Sequence, residues 1–406
     1  MDVLVINCGS SSIKYRLYDM SDESLLAKGL VEKIGEKTSR LLHEADGRVD
    51  ERKTAVANHH EAFDLLSDAL VHGPAAAISG AHDIHAVGHR VVHGGEGFTE
   101  SVPIDQSVMT LIERFAVLAP LHNPPNLVGI REAMGHFPDV PHVAFFDTAF
   151  HETMQPTAYL YALPYEFYEK DRVRRYGFHG TSHRFVMLRA AQLCGIPVEK
   201  FNAITCHLGN GCSLAAIRNG KSIDTSMGLT PLEGVPMGTR SGDIDPAIIF
   251  FIAQQRKMTL GQINDLLNKR SGLLGVSGIS NDVRELLDAA DKGHERAALA
   301  LDIFSYRIRK YIGAYLAALG RCDAVIMTGG IGENARNVRA KICSGLDNLG
   351  IRFDAAANDR CVGKEATIST PDSPVRLLVV PTNEELLIAR DTAEIAQRLS
   401  QAGRRA

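Results

Sequence analysis

An α/β protein made of two similar halves is the fold class this sequence predicts, and three observations lead there. The chain has 406 residues, against about 150 for an ordinary domain, so two or three domains are expected. Val3–Ile6, a small-residue turn (Asn7 to Ser12) and Ile13–Tyr18 read as strand, turn, strand. A second segment, Ile204–Ile217, repeats that pattern around His207-Leu208-Gly209-Asn210-Gly211, with Gly9 and Gly209 at equivalent offsets. The spacing of about 200 residues suggests an architectural duplication with a ligand held between the halves. Strands and helices also alternate along the second half, as α/β architecture requires.

The remaining elements follow in order. Residues 35–60 are polar and charged, which suggests an excursion or hairpin away from the core. Val143–Phe146 is a short apolar strand ending at Asp147. Leu301, Phe304, Ile308, Ile312, Leu316 and Leu319 recur at three- and four-residue spacing, which predicts a helix over 295–319 stopped by Gly320. Strands follow over 323–327 and 376–380. Asn123 is a candidate cap for a helix opened by Pro124 and Pro125, and Thr382-x-x-Glu385 has the form of a capping box.

Composition narrows the function classes. Apolar residues make up 45% of the chain and charged residues 23%, which is a globular balance. A net charge of −4 excludes a generally basic nucleic-acid surface. No apolar run reaches the roughly 18 residues of a membrane span, and the N-terminus lacks a signal-peptide pattern. The seven cysteines are scattered and form no C-x-x-C pair, so a cytoplasmic protein with reduced thiols is expected.

Three Gly-rich turns follow strands, at 7–12, 207–211 and 328–334. Glycine lets the backbone approach an anion closely with its N–H groups turned inward. Ser12 and Lys14 are two apart on a strand, so both can reach one phosphate. No P-loop motif is present. Gly330, Gly332 and Ala335 match G-x-G-x-x-A, with Asp354 at the end of a plausible strand further on, so a dinucleotide-binding dehydrogenase is a competing expectation. A non-metabolic actin-like or chaperone ATPase is a third.

Charged residues gather in the loops: His89 and Arg90 after a strand, His122 at a helix start, and Asp147 at a strand end. Others are the run Arg174 to His183, Arg240 in a Gly-flanked loop, and Glu384 beside the capping box. Each alone suits a surface ion pair or a cap. Their shared setting suggests convergence on one cleft.

Asn7-Cys-Gly-Ser-Ser-Ser-Ile-Lys14 and Arg174-Arg-Tyr-Gly-Phe-His-Gly-Thr-Ser-His183 resemble the two signatures of the acetate kinase family. The resemblance runs in order through the whole chain. It implies a duplicated actin-like (ribonuclease H-like) two-lobe fold with an interlobe active-site cleft. The lobes would be 1–149 plus 386–406, and a nucleotide-binding lobe 150–385. It implies reversible, Mg²⁺-dependent (Mn²⁺ possible) transfer of the ATP γ-phosphoryl group to acetate, with propionate as the near alternative, by a cytoplasmic homodimer. Arg90 and Arg240 would hold acetate and the transferring group, and His179 would stabilise the transition state with His122 assisting. Asp147 would be the catalytic carboxylate, and Asn7 and Glu384 the metal positions. Ser10, Ser12, Lys14, His207 to Gly211 (with Leu208, Gly209 and Asn210), Asp282, Val283, Arg284, Gly330, Ile331, Gly332, Glu333 and Asn334 would contact ATP or ADP. Val92, Leu121, Phe178 and Pro231 would form a methyl pocket.

Overall fold

The computed structural model describes residues 1–403. It divides into two compact units: unit 1 is Met1–Phe150 with the segment from Asn383 onward, and unit 2 is His151–Thr382. The return to unit 1 comes at Asn383, ahead of residue 386, so Glu384 and Glu385 belong to unit 1. Residues 404–406, the end of the expected first lobe, lie outside the described residues.

Unit 1 is built on eight strands: β1 (Asp2–Cys8), β2 (Ser12–Asp19), β3 (Ser24–Glu32), β4 (Ser39–Ala45), β5 (Arg48–Thr54), β6 (Ile84–Val91), β7 (Val102–Pro103) and β8 (His142–Phe146). Their order is β5-β4-β3-β2-β1-β6-β8-β7. Unit 2 has six: β9 (Ala203–Leu208), β10 (Cys212–Arg218), β11 (Lys221–Thr225), β12 (Ala324–Thr328), β13 (Ala366–Thr367) and β14 (Arg376–Val379). They are ordered β11-β10-β9-β12-β14-β13. Both sheets begin with an antiparallel meander, β3-β2-β1 or β11-β10-β9. Both continue through two parallel neighbours, β6-β8 or β12-β14, and end on a short antiparallel edge strand. The duplication is therefore plain in the topology, although the two hairpins share few residues.

Residues 35–60 do not leave the core. β4 pairs with β3 and turns Ser39, Leu41, His43 and Ala45 inward at period two. β5 covers the sheet edge with its polar face out, which is why the stretch reads as polar. The helix His59–Val71 follows, capped by Asn58, whose side chain accepts from the Glu61 N–H.

The helix Glu295–Leu319 forms as its spacing predicts, burying Leu301, Phe304, Ile308, Ile312 and Leu319. Two caps differ from expectation. Asn123 is the first residue of the helix Asn123–His136, and His122 holds the cap position. Asn123 is buried and binds the His93 backbone instead. The Thr382-Glu385 box does not form. Asn383 Oδ1 accepts from Leu386 N–H at the start of the helix Glu384–Gly403, while Thr382 N–H donates to Glu333. Asp354 caps the short helix Ala355–Asp359 and does not end a strand, so the dinucleotide geometry is absent there.

Unit 1 also buries neutral histidines. The second ring nitrogen of His142, Nε2, donates to Phe137 O at 2.9 Å. Its Nδ1 must then accept from His89 Nε2, 3.0 Å away. His43 donates to Ala75 O and accepts from the Tyr15 hydroxyl in the same manner. Burial pushes the pKa of all three below the ordinary value of 6.5. Protons that the unfolded chain takes up below that pH are refused by the folded one, so stability is present at neutral pH and is lost on acidification. Urea unfolding followed between about pH 7 and pH 5 should show a loss of up to about 1.4 kcal/mol per pH unit for each such histidine. A flat profile over that range would contradict this.

Candidate active site

In unit 1 the carboxyl ends of the three adjacent parallel strands gather polar side chains, the usual ligand-binding edge of an α/β sheet. Asn7 lies at the end of β1, Arg90 at the end of β6, and Asp147 directly after β8. Asp147 is fixed by its N–H donating to Val91 O at 3.0 Å. Its carboxylate takes both Arg90 Nε, at 3.0 and 3.1 Å, and Arg90 Nη2, at 2.6 Å. This fork holds the guanidinium in one orientation. Asp147 is buried and Arg90 about a quarter exposed, so the arginine keeps one accessible side.

Glu384, the first residue of its helix, lies within the field of this pair. Desolvation pushes its carboxyl pKa up to about 7, opposed by Arg90 and Lys14 and reinforced by Asp147 and Glu385. Lys14 faces Asn7 across the β1–β2 ladder. Lys14 thus neighbours Asn7, and its charge also acts on Glu384. An amide and a carboxylate oxygen are a hard-oxygen donor pair, which suits a divalent cation that keeps water and phosphate as its other ligands.

The turn after β1 is braced from two helices. Gly9 N–H donates to Ser12 O at 2.8 Å. His59 Nε2 is 2.8 Å from Gly9 O. Asn126 Nδ2 donates to Cys8 O at 2.8 Å while its Oδ1 accepts from Val92 N–H at 3.1 Å. Ser10 and Lys14 are exposed on this turn and Ser12 is half-buried. Asn126 therefore ties the Ser/Lys turn to the Val92 loop. The motif alone did not reveal that job, although Asn126 lies one helical step from Asn123. Leu121 and His122 are exposed at the start of that helix, and Val92 is half-buried.

In unit 2 the turn between β9 and β10 meets the side chains of His179 and Arg240. A Cβ placed on Gly211 would lie 3.4 Å from His179 Nε2 and 3.6 Å from Arg240 Nη1, so both side chains border this glycine. The Arg240 loop is pinned. Gly238 N–H donates to Asn210 O at 3.1 Å, and the N–H groups of Ser271, Leu273 and Leu274 donate to Thr239, Met237 and Gly238 carbonyls at 2.9 Å. Gly272, at φ +60, packs so closely on the Met237 and Arg240 backbone that a side chain would collide. Arg175 anchors the preceding segment, donating to the carbonyls of Thr225, Ser226 and Met227 at 2.7–3.1 Å and to Glu233 at 2.5 Å. That role was not visible in the Arg174-Arg175 run.

Among the described residues Arg240 meets no carboxylate. Its Nη1 reaches Pro231 O at 3.5 Å and Met237 Sδ at 3.8 Å. Desolvation lowers its pKa. A half-buried cation without a counter-charge is costly unless an anion completes it. His207 stacks on His179 with centroids 4.3 Å apart. Phe178 is buried beside His179, and Pro231 is partly exposed.

Beside this group unit 2 has an open cleft of about 740 Å³. Three separate predicted segments line it: Gly209 and Asn210; Asp282, Val283 and Arg284; and Gly330, Ile331 and Asn334. Asn281, Leu287 and Ala335 complete the wall. Asn281 Nδ2 donates to Asn210 Oδ1 at 3.0 Å, a contact the sequence did not suggest. His207, Leu208, Gly211, Gly332 and Glu333 are not among its lining residues. Leu208 is in the core. Glu333 turns its carboxylate back to the N–H groups of Gly329 and Thr382. Asp282 caps the helix Val283–Asp291 and pairs with the exposed Arg284 at 2.6 Å.

A cleft walled by a Gly-rich turn and a Gly-rich helix start, beside a guanidinium that meets no carboxylate among the described residues, suits a phosphorylated anion. The chain belongs to the Acetokinase family, which it matches over residues 2–390. It is 54% identical to an acetate kinase of Desulfitobacterium hafniense (strain DSM 10664 / DCB-2), covering 98% of this chain and 100% of the relative. It is 53% identical to the acetate kinase of Thermotoga maritima, over 99% and 100%. The fold superposes on the crystal structure of Porphyromonas gingivalis acetate kinase with a TM-score of 0.95 at 47% identity, over 97% and 99% of the two chains. It superposes on a propionate kinase from Francisella tularensis with a TM-score of 0.90 at 43% identity, over the same shares. The actin-like fold is thereby established, and the dehydrogenase and chaperone expectations fall away.

Replacing Asp147 by Asn keeps its shape but removes the charge from a largely buried fork. The variant should lose about 1–3 kcal/mol of unfolding free energy in chemical denaturation. Wild-type stability would show that the pair contributes nothing to the fold.

Proposed function

We propose that the protein is an acetate kinase, transferring the γ-phosphoryl group of ATP to acetate to give acetyl phosphate and ADP, reversibly and in line. The carrying observation is Arg240, a half-buried cation with no carboxylate partner among the described residues, set beside His179 at the Gly211 turn.

The chemistry sets the task. A carboxylic acid is ionised at pH 7, so the nucleophile needs no general base. The barrier lies in bringing one anion to another and in the charge spread over the moving phosphoryl oxygens. Arg90, oriented by Asp147, would bind the carboxylate, while Arg240 and His179 would donate to the transferring oxygens. Asp147 acts through Arg90 and has no proton to accept. Asn7 and Glu384 would hold Mg²⁺ or Mn²⁺, which when bound offsets phosphate charge and orients the triphosphate. Lys14, Ser10 and Ser12 would contact phosphate oxygens. The cleft of unit 2 would take the nucleoside, with Asn210, Asn281 and Gly330 at its wall. Val92, Leu121, Phe178 and Pro231 would enclose the methyl group, and His122 would assist His179.

Seven free thiols, five of them buried, suit a reducing cytoplasm. No described helix is long and apolar enough to cross a membrane. Unit 2 exposes Phe250, Phe251 and Leu260, apolar surface of the kind a homodimer would cover.

Acyl phosphate trapped as hydroxamate, from ATP, Mg²⁺ and acetate, tests the assignment. Arg240→Ala should lower kcat by at least about a hundredfold with an unchanged circular dichroism spectrum. A near-wild-type rate in that variant would remove Arg240 from the site. Val92→Ala should raise kcat/KM for propionate relative to acetate by an amount within about 1–3 kcal/mol per methylene. An unchanged ratio would remove Val92 from the pocket.

A further inference from the structure

His179 does not stand alone behind its own ring. It occupies a left-handed backbone position (φ 58, ψ 22) that few non-glycine residues adopt, at the start of the helix Gly180–Cys194. Its Nδ1 lies 2.9 Å from Ser213 Oγ on β10. The same oxygen is 2.7 Å from Nε2 of His183, one helical turn further on. His183 Nδ1 is in turn 2.7 Å from Thr205 Oγ1 on β9. Ser213 is paired with His207 in the β9–β10 register, so Thr205, His207 and Ser213 share one face of the hairpin. Ser213, His183 and Thr205 are all fully buried.

Hydrogen counting fixes the direction of this chain. Each hydroxyl has one proton to give, and a neutral imidazole has one. His183 is deep in the core with His151 edge-on at 5.6 Å and His207 nearby, and burial keeps it neutral. With Ser213 accepting from both rings, its own buried proton would meet no acceptor among the described residues, which leaves two directions along the chain. In one, His179 Nδ1–H donates to Ser213, Ser213 to His183 Nε2, and His183 Nδ1–H to Thr205. That leaves the Thr205 hydroxyl proton buried with no acceptor, since among the described residues its hydroxyl bonds to His183 alone. In the other, Thr205 donates to His183 Nδ1, His183 Nε2–H to Ser213, and Ser213 to His179 Nδ1. Every buried proton is then satisfied, and an orphaned buried donor costs about 1–3 kcal/mol.

We infer that Thr205, His183 and Ser213 are positioning residues that hold the neutral His179 ring with its proton on Nε2, the nitrogen that borders Gly211 and Arg240. This deepens the proposed function, because it rests on His179 donating to the transferring phosphoryl group. With the proton on Nδ1, a neutral His179 would present a lone pair to an anion and repel it. Thr205, two hydrogen-bonded residues away from His179, would thereby influence the chemical step without touching substrate.

Two measurements test this. The first is nitrogen NMR of the histidine-labelled full chain at about pH 9, well above the ordinary histidine pKa. The His179 signals, assigned with His179→Gln, should show a protonated Nε2 and an accepting Nδ1. A protonated Nδ1 would overturn the inference, whatever the enzyme's activity. The second is kinetic. Thr205→Val removes the terminal donor at constant shape and should lower kcat about tenfold to a hundredfold with KM for ATP and acetate unchanged, while Thr205→Ser restores it. Should the valine variant not fold, Ser213→Ala removes the middle link and should give the same split. A wild-type kcat in whichever variant folds would overturn the role. If His179→Gln itself kept wild-type kcat, the functional assignment would fail while the NMR result stood.

Discussion

Like-charge repulsion is the constraint on which this molecule depends. A carboxylate must approach a triphosphate, and neither carries a proton to lose. A protein meeting that demand needs cations that are held still and partly dehydrated. Arg90 and Arg240 satisfy these conditions in opposite ways. Arg90 is aimed by a carboxylate that grips two of its nitrogens and leaves one side accessible. Arg240 is aimed by its backbone, through a loop bonded to the Gly-rich turn and to Ser271, Leu273 and Leu274, and meets no carboxylate among the described residues.

The architecture follows from the same requirement. Each sheet is an antiparallel meander continued by parallel strands, which brings the ends of β1, β6 and β8 together in unit 1 and those of β9 and β12 in unit 2. Strand ends carry the functional groups because backbone N–H groups and short turns are available there without disturbing the core. The asparagines complete the arrangement. Asn126 joins the turn after β1 to the loop after β6, and Asn123 braces that second loop at His93, both from one helix and both buried.

Much of this was legible in the chain. The long helix 295–319, the Gly-rich turns at 7–12 and 207–211 and the α/β class follow from periodicity and turn chemistry, because those signals are local, whereas the third expected turn, 328–334, is a short helix, Gly329–Asn334. The resemblance supplied the family and the residues expected to act. What periodicity could not supply was partnership. Residues 35–60 read as an excursion because an edge hairpin has one polar face. Thr382 and Glu385 have the right spacing for a capping box, yet Thr382 is occupied by Ser182 and Glu333 and the cap passes to Asn383. Glu333 lies in the short Gly-rich helix Gly329–Asn334, and its carboxylate serves the backbone. Arg175, Ser213 and Thr205 bear no local mark, since their roles arise only when distant strands and helices are packed together.

The central claim is that the phosphoryl group moves once, directly between two anions that fixed cations hold together, with no side chain taking it up. Transfer from ATP made chiral at its γ-phosphorus to acetate tests this most directly. A single in-line displacement predicts an acetyl phosphate of inverted configuration. Retention would require two displacements through a phosphorylated residue such as His179 or Asp147, and would contradict the claim.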